Sequence, residues 1–252
     1  MTFGFTLSLV TRKPETTNQN HKPETKNQKP ESMGERRIAA YGGTFDPVHN
    51  GHLEVVRAIV RTFELDQLLI IPANRPPHKG SRPIADSYHR FTMAVLATID
   101  ERRVLVSTIE LDAPDRPYTF ETVERLRSAF GMRTRLFFVM GADSFEEITT
   151  WREPARLLSS TSLIVVTRPG HDVGSSHLDE RFRSTIVDLR GREGEMQPVE
   201  DLNEHQIFVT GYVNTGISST DIRQRVRDGE SIEGLVPPRV ADYIKKYELY
   251  RR

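Results

Sequence analysis

A chain of 252 residues is long enough to bury one sizeable core, and 37% hydrophobic content is low for a globular chain. Lys plus Arg and Asp plus Glu both number 35, a balance that argues against a general nucleic-acid binder while leaving room for a local basic pocket. The lack of cysteine excludes disulfides, thiolate metal sites and a cysteine nucleophile and fits a reducing, cytoplasmic compartment; no apolar run approaches the roughly 18–20 residues that cross a bilayer, so no membrane partner is expected.

The opening M-T-F-G-F-T-L-S-L-V is mildly apolar but has no basic start and no small-residue cleavage site, which makes it a poor signal peptide. K-P-E-T recurs at Lys13 and Lys22 and K-P-E-S at Lys29, separated by Asn, Gln and His. Such a stretch has too little apolar surface to offset the entropy of ordering, so residues 1–34 are expected to be a disordered tail, with Met33 as an alternative start.

From Arg36 onward short apolar runs alternate with amphipathic stretches. Strands are predicted at Arg36–Tyr41, Gln67–Ile71, Val104–Ser107, Arg135–Met140, Leu163–Thr167 and Ile207–Thr210. Helices are predicted at Gly51–Phe63, Ser87–Ile99, Phe120–Phe130, Pro154–Leu158, Ser219–Asp228 and Pro238–Tyr247. Nearly all-apolar strands alternating with helices indicate an α/β, Rossmann-like, doubly wound parallel sheet in a single domain over residues 35–252. The segment Pro169–Glu204 is rich in Gly, Arg, Asp and Glu and reads as a surface loop with one helix near Ser176–Ser184.

In such sheets ligands bind beyond the carboxyl ends of the strands. The loop Y-G-G-T-F-D-P-V-H-N-G-H, Tyr41–His52, leaves the first predicted strand there. Gly42 and Gly43 lack Cβ atoms, which lets a phosphate approach the main chain, and Asp46-Pro47 sets a turn. His49 and His52 flank the start of the next helix, whose free amides already attract anions. Either half of this pattern is weak alone: Gly-Gly is often just a turn, and a His pair at i, i+3 falls short of the usual zinc spacing. Together, between a strand and a helix, they point to a polyphosphate held from two sides. A second segment, I-S-S-T-D-I-R at Ile217–Arg223, carries a capping-box pattern in Ser218 and Asp221. Its helix start would present amides, the Ser219 and Thr220 hydroxyls and Arg223, although an ordinary capped helix reads the same way.

These two segments resemble the signatures of the nucleotidyltransferase superfamily related to class I aminoacyl-tRNA synthetases. More narrowly the chain is similar to bacterial nicotinate-nucleotide adenylyltransferases from about Arg36 to Arg252, through P-P-H-K at Pro76–Lys79, P-Y-T at Pro117–Thr119, M-G-A-D-S at Met140–Ser144, T-T-W at Thr149–Trp151 and L-I-V-V-T-R-P-G at Leu163–Gly170. The resemblance implies that the phosphate of nicotinate mononucleotide attacks the α-phosphorus of ATP, giving deamido-NAD and pyrophosphate, with Mg²⁺ carried mainly by the ATP phosphates and no metal site made by the protein alone. It implies His49, His52 and Arg223 as catalytic residues. Gly42, Gly43, Thr44, Phe45, Gly141, Asp143, Ile217, Ser218, Ser219 and Thr220 are implied on the ATP side. Lys79, Tyr118, Thr119, Trp151 and Arg168 are implied on the mononucleotide side, with Trp151 stacking on the pyridine ring and the amides at Tyr118–Thr119 meeting its carboxylate. A superfamily member acting on phosphopantetheine or on nicotinamide mononucleotide, or a catalytically silent nucleotide sensor, are the alternatives. The chain has neither a K-M-S-K-S loop nor an anticodon-binding domain, which argues against a tRNA synthetase. Oligomeric state is open, a homo-oligomer included.

Overall fold

Where apolar residues run unbroken, the chain forms strands buried on both faces, and where they recur every three or four residues it forms helices that cover those faces. A computed structural model describes residues 35–74, 84–113, 117–131, 133–168, 173–191, 205–212 and 216–251. All belong to one unit, Glu35–Arg252, and the tail expected over residues 1–34 lies outside the described residues.

The strands are β1 (Arg36–Gly43), β2 (Gln67–Pro72), β3 (Val104–Val106), β4 (Thr134–Gly141), β5 (Ser162–Val166), β6 (Ile186–Asp188) and β7 (Ile207–Thr210). They form one seven-stranded sheet in the order β3-β2-β1-β4-β5-β7-β6, and every pairing is parallel. The helices are α1 (Asn50–Thr62), α2 (Ser87–Thr98), α3 (Thr119–Phe130), α4 (Ala142–Glu146), α5 (Pro154–Leu158), α6 (Glu180–Arg183), α7 (Ser219–Asp228) and α8 (Pro238–Lys246), with a 3₁₀ turn at Ile148–Thr150.

Strand periodicity of two splits the core into two layers. Ala39, Leu68, Ile70, Phe137, Val139, Ile164 and Phe208 face one side, where Val55, Val56 and Ile59 of α1, Met93 of α2, Ile222 of α7 and Val240 of α8 cover them. Ile38, Ala40, Leu69, Phe138, Met140, Leu163 and Val165 face the other, under Val123 and Leu126 of α3, Phe145 of α4, Leu157 of α5 and Phe182 of α6. The chain lays down β1, moves outward through β2 to β3, then returns to place β4 on the far side of β1. Connections on either side of the β1–β4 boundary therefore diverge, and a crevice opens above the carboxyl ends of these two strands.

The doubly wound parallel sheet matches the sequence expectation, with most boundaries within two residues. The segment 169–204 departs from it. Among its described residues the helix expected near Ser176–Ser184 is reduced to α6, and an unexpected strand, β6, pairs with β7 at the sheet edge. Its three residues, Ile186-Val187-Asp188, are half-buried or exposed, so they lack the apolar run that marks the inner strands. Residues 169–172 and 192–204 lie outside the described residues. The five-residue helix α4 and the 3₁₀ turn after it are also additions, too short for a periodic signal to register.

Candidate active site at the β1–β4 switch point

Beyond Tyr41 the main chain of β1 runs through Gly42 and Gly43 into a loop that reverses at Phe45, whose φ of 49° is in the left-handed region. The two glycines are required by packing. A Cβ on Gly42 would lie 2.8 Å from the Phe138 ring, and one on Gly43 would lie 2.9 Å from the ring of Phe45. Both rings are buried, so neither swings away freely. Bare backbone at this point thus makes room for aromatic side chains under the loop. The Gly43 carbonyl accepts from the Ala73 amide (2.9 Å), and the Thr44 carbonyl from Arg90 Nη1 (2.8 Å).

α1 begins at Asn50 with His49 as its N-cap. The His49 amide donates to Nδ1 of His52 (3.1 Å), a local bond that satisfies one of the free donors at the helix start. With Nδ1 accepting, the proton of the His52 ring sits on Nε2. The two rings lie 3.7 Å apart between centroids, tilted by 31°, and the Phe45 ring packs edge-on against His52 at 5.1 Å. Burial lowers the His49 pKa to about 4, with the Arg168 guanidinium adding to the shift. Burial, then His49, then Arg168 hold His52 well below its ordinary 6.5. Both imidazoles are therefore neutral at physiological pH, each carrying one N–H, and the Arg168 guanidinium lines the cleft beside them.

This has a consequence for stability. In the unfolded chain each histidine titrates near 6.5, whereas folded His49 titrates near 4. Between those values the unfolded state binds more protons, so the contribution is complete above pH 6.5 and drains away as pH falls toward 4. His49 by itself is expected to account for a loss of about 2 kcal/mol between pH 7 and about pH 4.5 in urea unfolding, with His52 adding to it in the same direction. His49→Gln should have a visibly flatter profile over that interval, and an identical slope in both proteins would contradict the assignment.

Arg168 follows β5 and lines the cleft together with Tyr41, His49, His52, Asp143 and Ile217. Gly141, the last residue of β4 and N-cap of α4, also borders it, and a Cβ there would meet nothing within 4 Å. At this position the absent side chain leaves open space on the cleft. Asp143 lies in the first turn of α4.

The second signature meets the first from below. α7 starts at Ser219, and Ser218 caps it by accepting from the Asp221 amide (3.1 Å). Asp221 does not return the bond; its carboxylate takes Nε of Arg225 instead. Ser219 Oγ donates to the Pro47 carbonyl (3.0 Å). Arg223, 7% exposed, donates to the Asp46 carbonyl (2.6 Å) and to Thr220 Oγ1 (3.2 Å), with Nη1 3.7 Å from Asp46 Oδ2. Residues 42–52 and 217–223 thus come together as expected, but Arg223 is turned into the protein under the histidine loop. Gly42, Gly43, Thr44, Phe45, Ser218, Ser219, Thr220 and Arg223 stand outside the lining of the cleft itself.

The residues on the mononucleotide side group elsewhere. Tyr118, half exposed, is the N-cap of α3, and its amide donates to Glu121 Oε2 (2.8 Å). Its ring stacks on Phe120 at 6.3 Å and 16°, with the Arg152 guanidinium 6.0 Å from its centroid. Thr119 opens α3, and Trp151, half-buried, packs against the core layer below that helix. Arg168 is the member of this set placed against the histidines. Lys79 lies outside the described residues.

Sequence reasoning passed over Arg90 and Tyr250 and saw Asp46 only as a turn former. Arg90, 1% exposed, donates to the carbonyls of Thr44, Ala73, Asn74 and Ala85 and so ties the loop after β1 to the loop after β2. A signal for it exists: Arg90, Met93 and Ala94 share the buried face of α2, and an arginine at a core position of a helix must have acceptors waiting.

Fold and site together define a Rossmann-like α/β protein with a cleft at its switch point suited to a phosphorylated ligand. The cytidylyltransferase-like family model matches residues 40–225. A protein of Thermoanaerobacter sp. (strain X514), named "Probable nicotinate-nucleotide adenylyltransferase", is 38% identical over 218 residues, covering 86% of this chain and 96% of that protein. One of the same name from Thermus thermophilus is 37% identical over 215 residues, covering 85% of this chain and all of that one. Among solved structures, Plasmodium falciparum nicotinic acid mononucleotide adenylyltransferase complexed with NaAD aligns with a TM-score of 0.63 at 18% identity, over 85% of this chain and 97% of that one, a likeness of fold. The chain belongs to the cytidylyltransferase-like family and, within it, to the nicotinate-nucleotide adenylyltransferases.

Proposed function

We propose that the protein transfers the adenylyl group of ATP to nicotinate mononucleotide, forming deamido-NAD and pyrophosphate in the synthesis of pyridine dinucleotides. A phosphate oxygen of the mononucleotide bonds to the α-phosphorus, and the bond from that phosphorus to the bridging oxygen of pyrophosphate breaks. The acceptor is already ionised, so no side chain has to serve as nucleophile or base. The protein aligns the two phosphates and stabilises the charge that shifts onto the leaving group.

One observation carries this reading: two neutral imidazoles, His52 donating through Nε2 at the start of α1, share the switch-point cleft with the Arg168 cation. Neutral donors at a helix N-terminus stabilise developing negative charge without a proton having to move. Arg223, Ser219 and Arg90 support this arrangement by fixing the loop from beneath.

Mg²⁺ fits as a companion of the triphosphate. Among the residues lining the cleft, Asp143 contributes a carboxylate, and Mg²⁺ wants six oxygens. Asp143 would supply a single ligand or a water-mediated one, leaving the rest to phosphates and water. Bound so, the ion would neutralise charge on pyrophosphate as it leaves. Among the described residues no helix is long and apolar enough to cross a membrane, and we place the protein in the cytoplasm, where ATP and Mg²⁺ are plentiful.

The test is incubation with ATP, Mg²⁺ and a panel of acceptors, with products read by mass. Deamido-NAD from nicotinate mononucleotide is expected. Product from phosphopantetheine alone would move the chain to another branch, and nucleotide binding without any product would make it a sensor. Nicotinate mononucleotide should also exceed nicotinamide mononucleotide in kcat/KM, because the amides of the first turn of α3 from Thr119 onward favour a ring carboxylate over a neutral amide, the Tyr118 amide being held by Glu121. Equal values for the two would remove α3 from acceptor selection.

A further inference from the structure

The end of the chain reaches the histidine loop through one hydroxyl. After α8 the backbone turns twice, with Glu248 and Tyr250 both in the left-handed region at φ 51° and 67°. Leu249 and Tyr250 pack against the core layer that α1 covers. From there the Tyr250 hydroxyl donates to Asp46 Oδ1 at 2.7 Å, across 204 residues of sequence.

Asp46 is 1% exposed and stands three residues before His49. Its Oδ1 also accepts the Ala85 amide, at 3.2 Å. Its Oδ2 faces Arg223 at 3.7 Å and has no hydrogen-bond partner among the described residues. Its main-chain carbonyl takes Arg223 Nη1 at 2.6 Å. The carboxylate is thus a junction where the C-terminal segment, the approach to α2 and the first turns of α7 meet directly beneath the loop that holds the two imidazoles. A buried carboxylate has few bonds to spare, and its shortest is the one from Tyr250.

We propose that Tyr250 is a positioning residue for adenylyl transfer, its hydroxyl fixing the rotation of the Asp46 carboxylate and, through it, the placement of Arg223 and of the loop bearing His49 and His52. The proposal rests on the adenylyl-transfer reading for its kinetic consequence but not for its structural one. It assigns a role in the site to the last residues of the chain, far from either signature in sequence. Packing alone would require the ring and not the hydroxyl, and Tyr250→Phe separates the two.

Three readouts decide it: the melting temperature, kcat and KM for ATP, and the ¹H–¹⁵N imidazole signals of His49 and His52 recorded without substrates. In Tyr250→Phe the fold is expected to persist, kcat to fall about tenfold with KM for ATP within about twofold, and both imidazole signals to move. In Asp46→Ala the acceptor that the hydroxyl serves is gone, so adding Tyr250→Phe to it should cost little further in kcat and in melting temperature. Wild-type kcat in Tyr250→Phe, unmoved imidazole signals, or fully additive losses in the double variant would each overturn the proposal. A wild-type protein that makes no deamido-NAD sinks the proposed function alone; the imidazole signals then decide the role of Tyr250 by themselves.

Discussion

His52→Ala is expected to lower turnover by about 10²–10³ while the protein remains folded. The His52 ring is held by its own helix start, with Nδ1 committed to the His49 amide and the Nε2 proton left as a donor. Its lowered pKa keeps it neutral, so what is lost is a directed hydrogen bond to a reacting phosphate rather than a charge. A donor aimed in advance at developing negative charge costs nothing to reorganise during the reaction, which is why its removal weighs on kcat more than on binding. Substitution also removes the acceptor for the His49 amide, at about 1 kcal/mol of stability, too little to unfold a domain of this size. Pyrophosphate release under saturating substrates, with circular dichroism as the control, measures the effect. Near-normal turnover in a folded His52→Ala protein would take this histidine out of the mechanism.

Arg223→Ala should cost about 3 kcal/mol of stability. The Asp46 carboxyl is fully buried, and its nearest cation is Arg223, which also bonds the Asp46 carbonyl. Removing the guanidinium leaves a buried carboxylate facing a cavity, and the cost of an uncompensated charge exceeds what the pair contributed when intact. Arg90, the other buried cation, also interacts with Asp46, which places the loss at the lower end of the usual range for breaking such pairs. Urea unfolding at neutral pH gives the number. Arg223→Ala combined with Asp46→Ala should be less damaging than the sum of the two, because the stranded charge is gone. A loss below about 1 kcal/mol for Arg223→Ala would mean that the pair is solvated and that Arg223 is free to act elsewhere. Turnover should fall as well, since Arg223 holds the loop that presents the histidines.

A role for Arg223 was legible in the sequence, and its direction was not. I-S-S-T-D-I-R announces a helix start with an arginine one turn in, and the cap on Ser218 confirms that start. Whether the guanidinium reaches outward to a phosphate or inward to a carboxylate depends on where Asp46 lies, and the two are 177 residues apart in the chain. Gly42 and Gly43 show the same limit. A Gly-Gly pair after a strand reads as backbone bared to a phosphate or as a turn, whereas the rings of Phe138 and Phe45 that an added Cβ would meet arrive from β4 and from the loop itself. Arg168 closes a predicted strand and is implied by resemblance alone on the mononucleotide side; setting β5 beside β4 is what brings it to the histidines.

By itself the sequence determined the periodic and the local. Apolar runs and helical spacing specified every strand except β6 and the long helices, because burial on two faces or on one leaves a pattern along the chain. The Ser218 cap was equally accessible, since its partner lies within three residues, whereas the bond from the His49 amide to the His52 ring emerged only in the structure. Only the tertiary structure decided which polar groups face the cleft and which are spent beneath it. Arg90, Arg223 and Tyr250 converge on the loop around Asp46 from three distant parts of the chain. Their pairing follows from the cost of burying an unpartnered charge, a quantity that exists only once the chain has folded and water has been excluded.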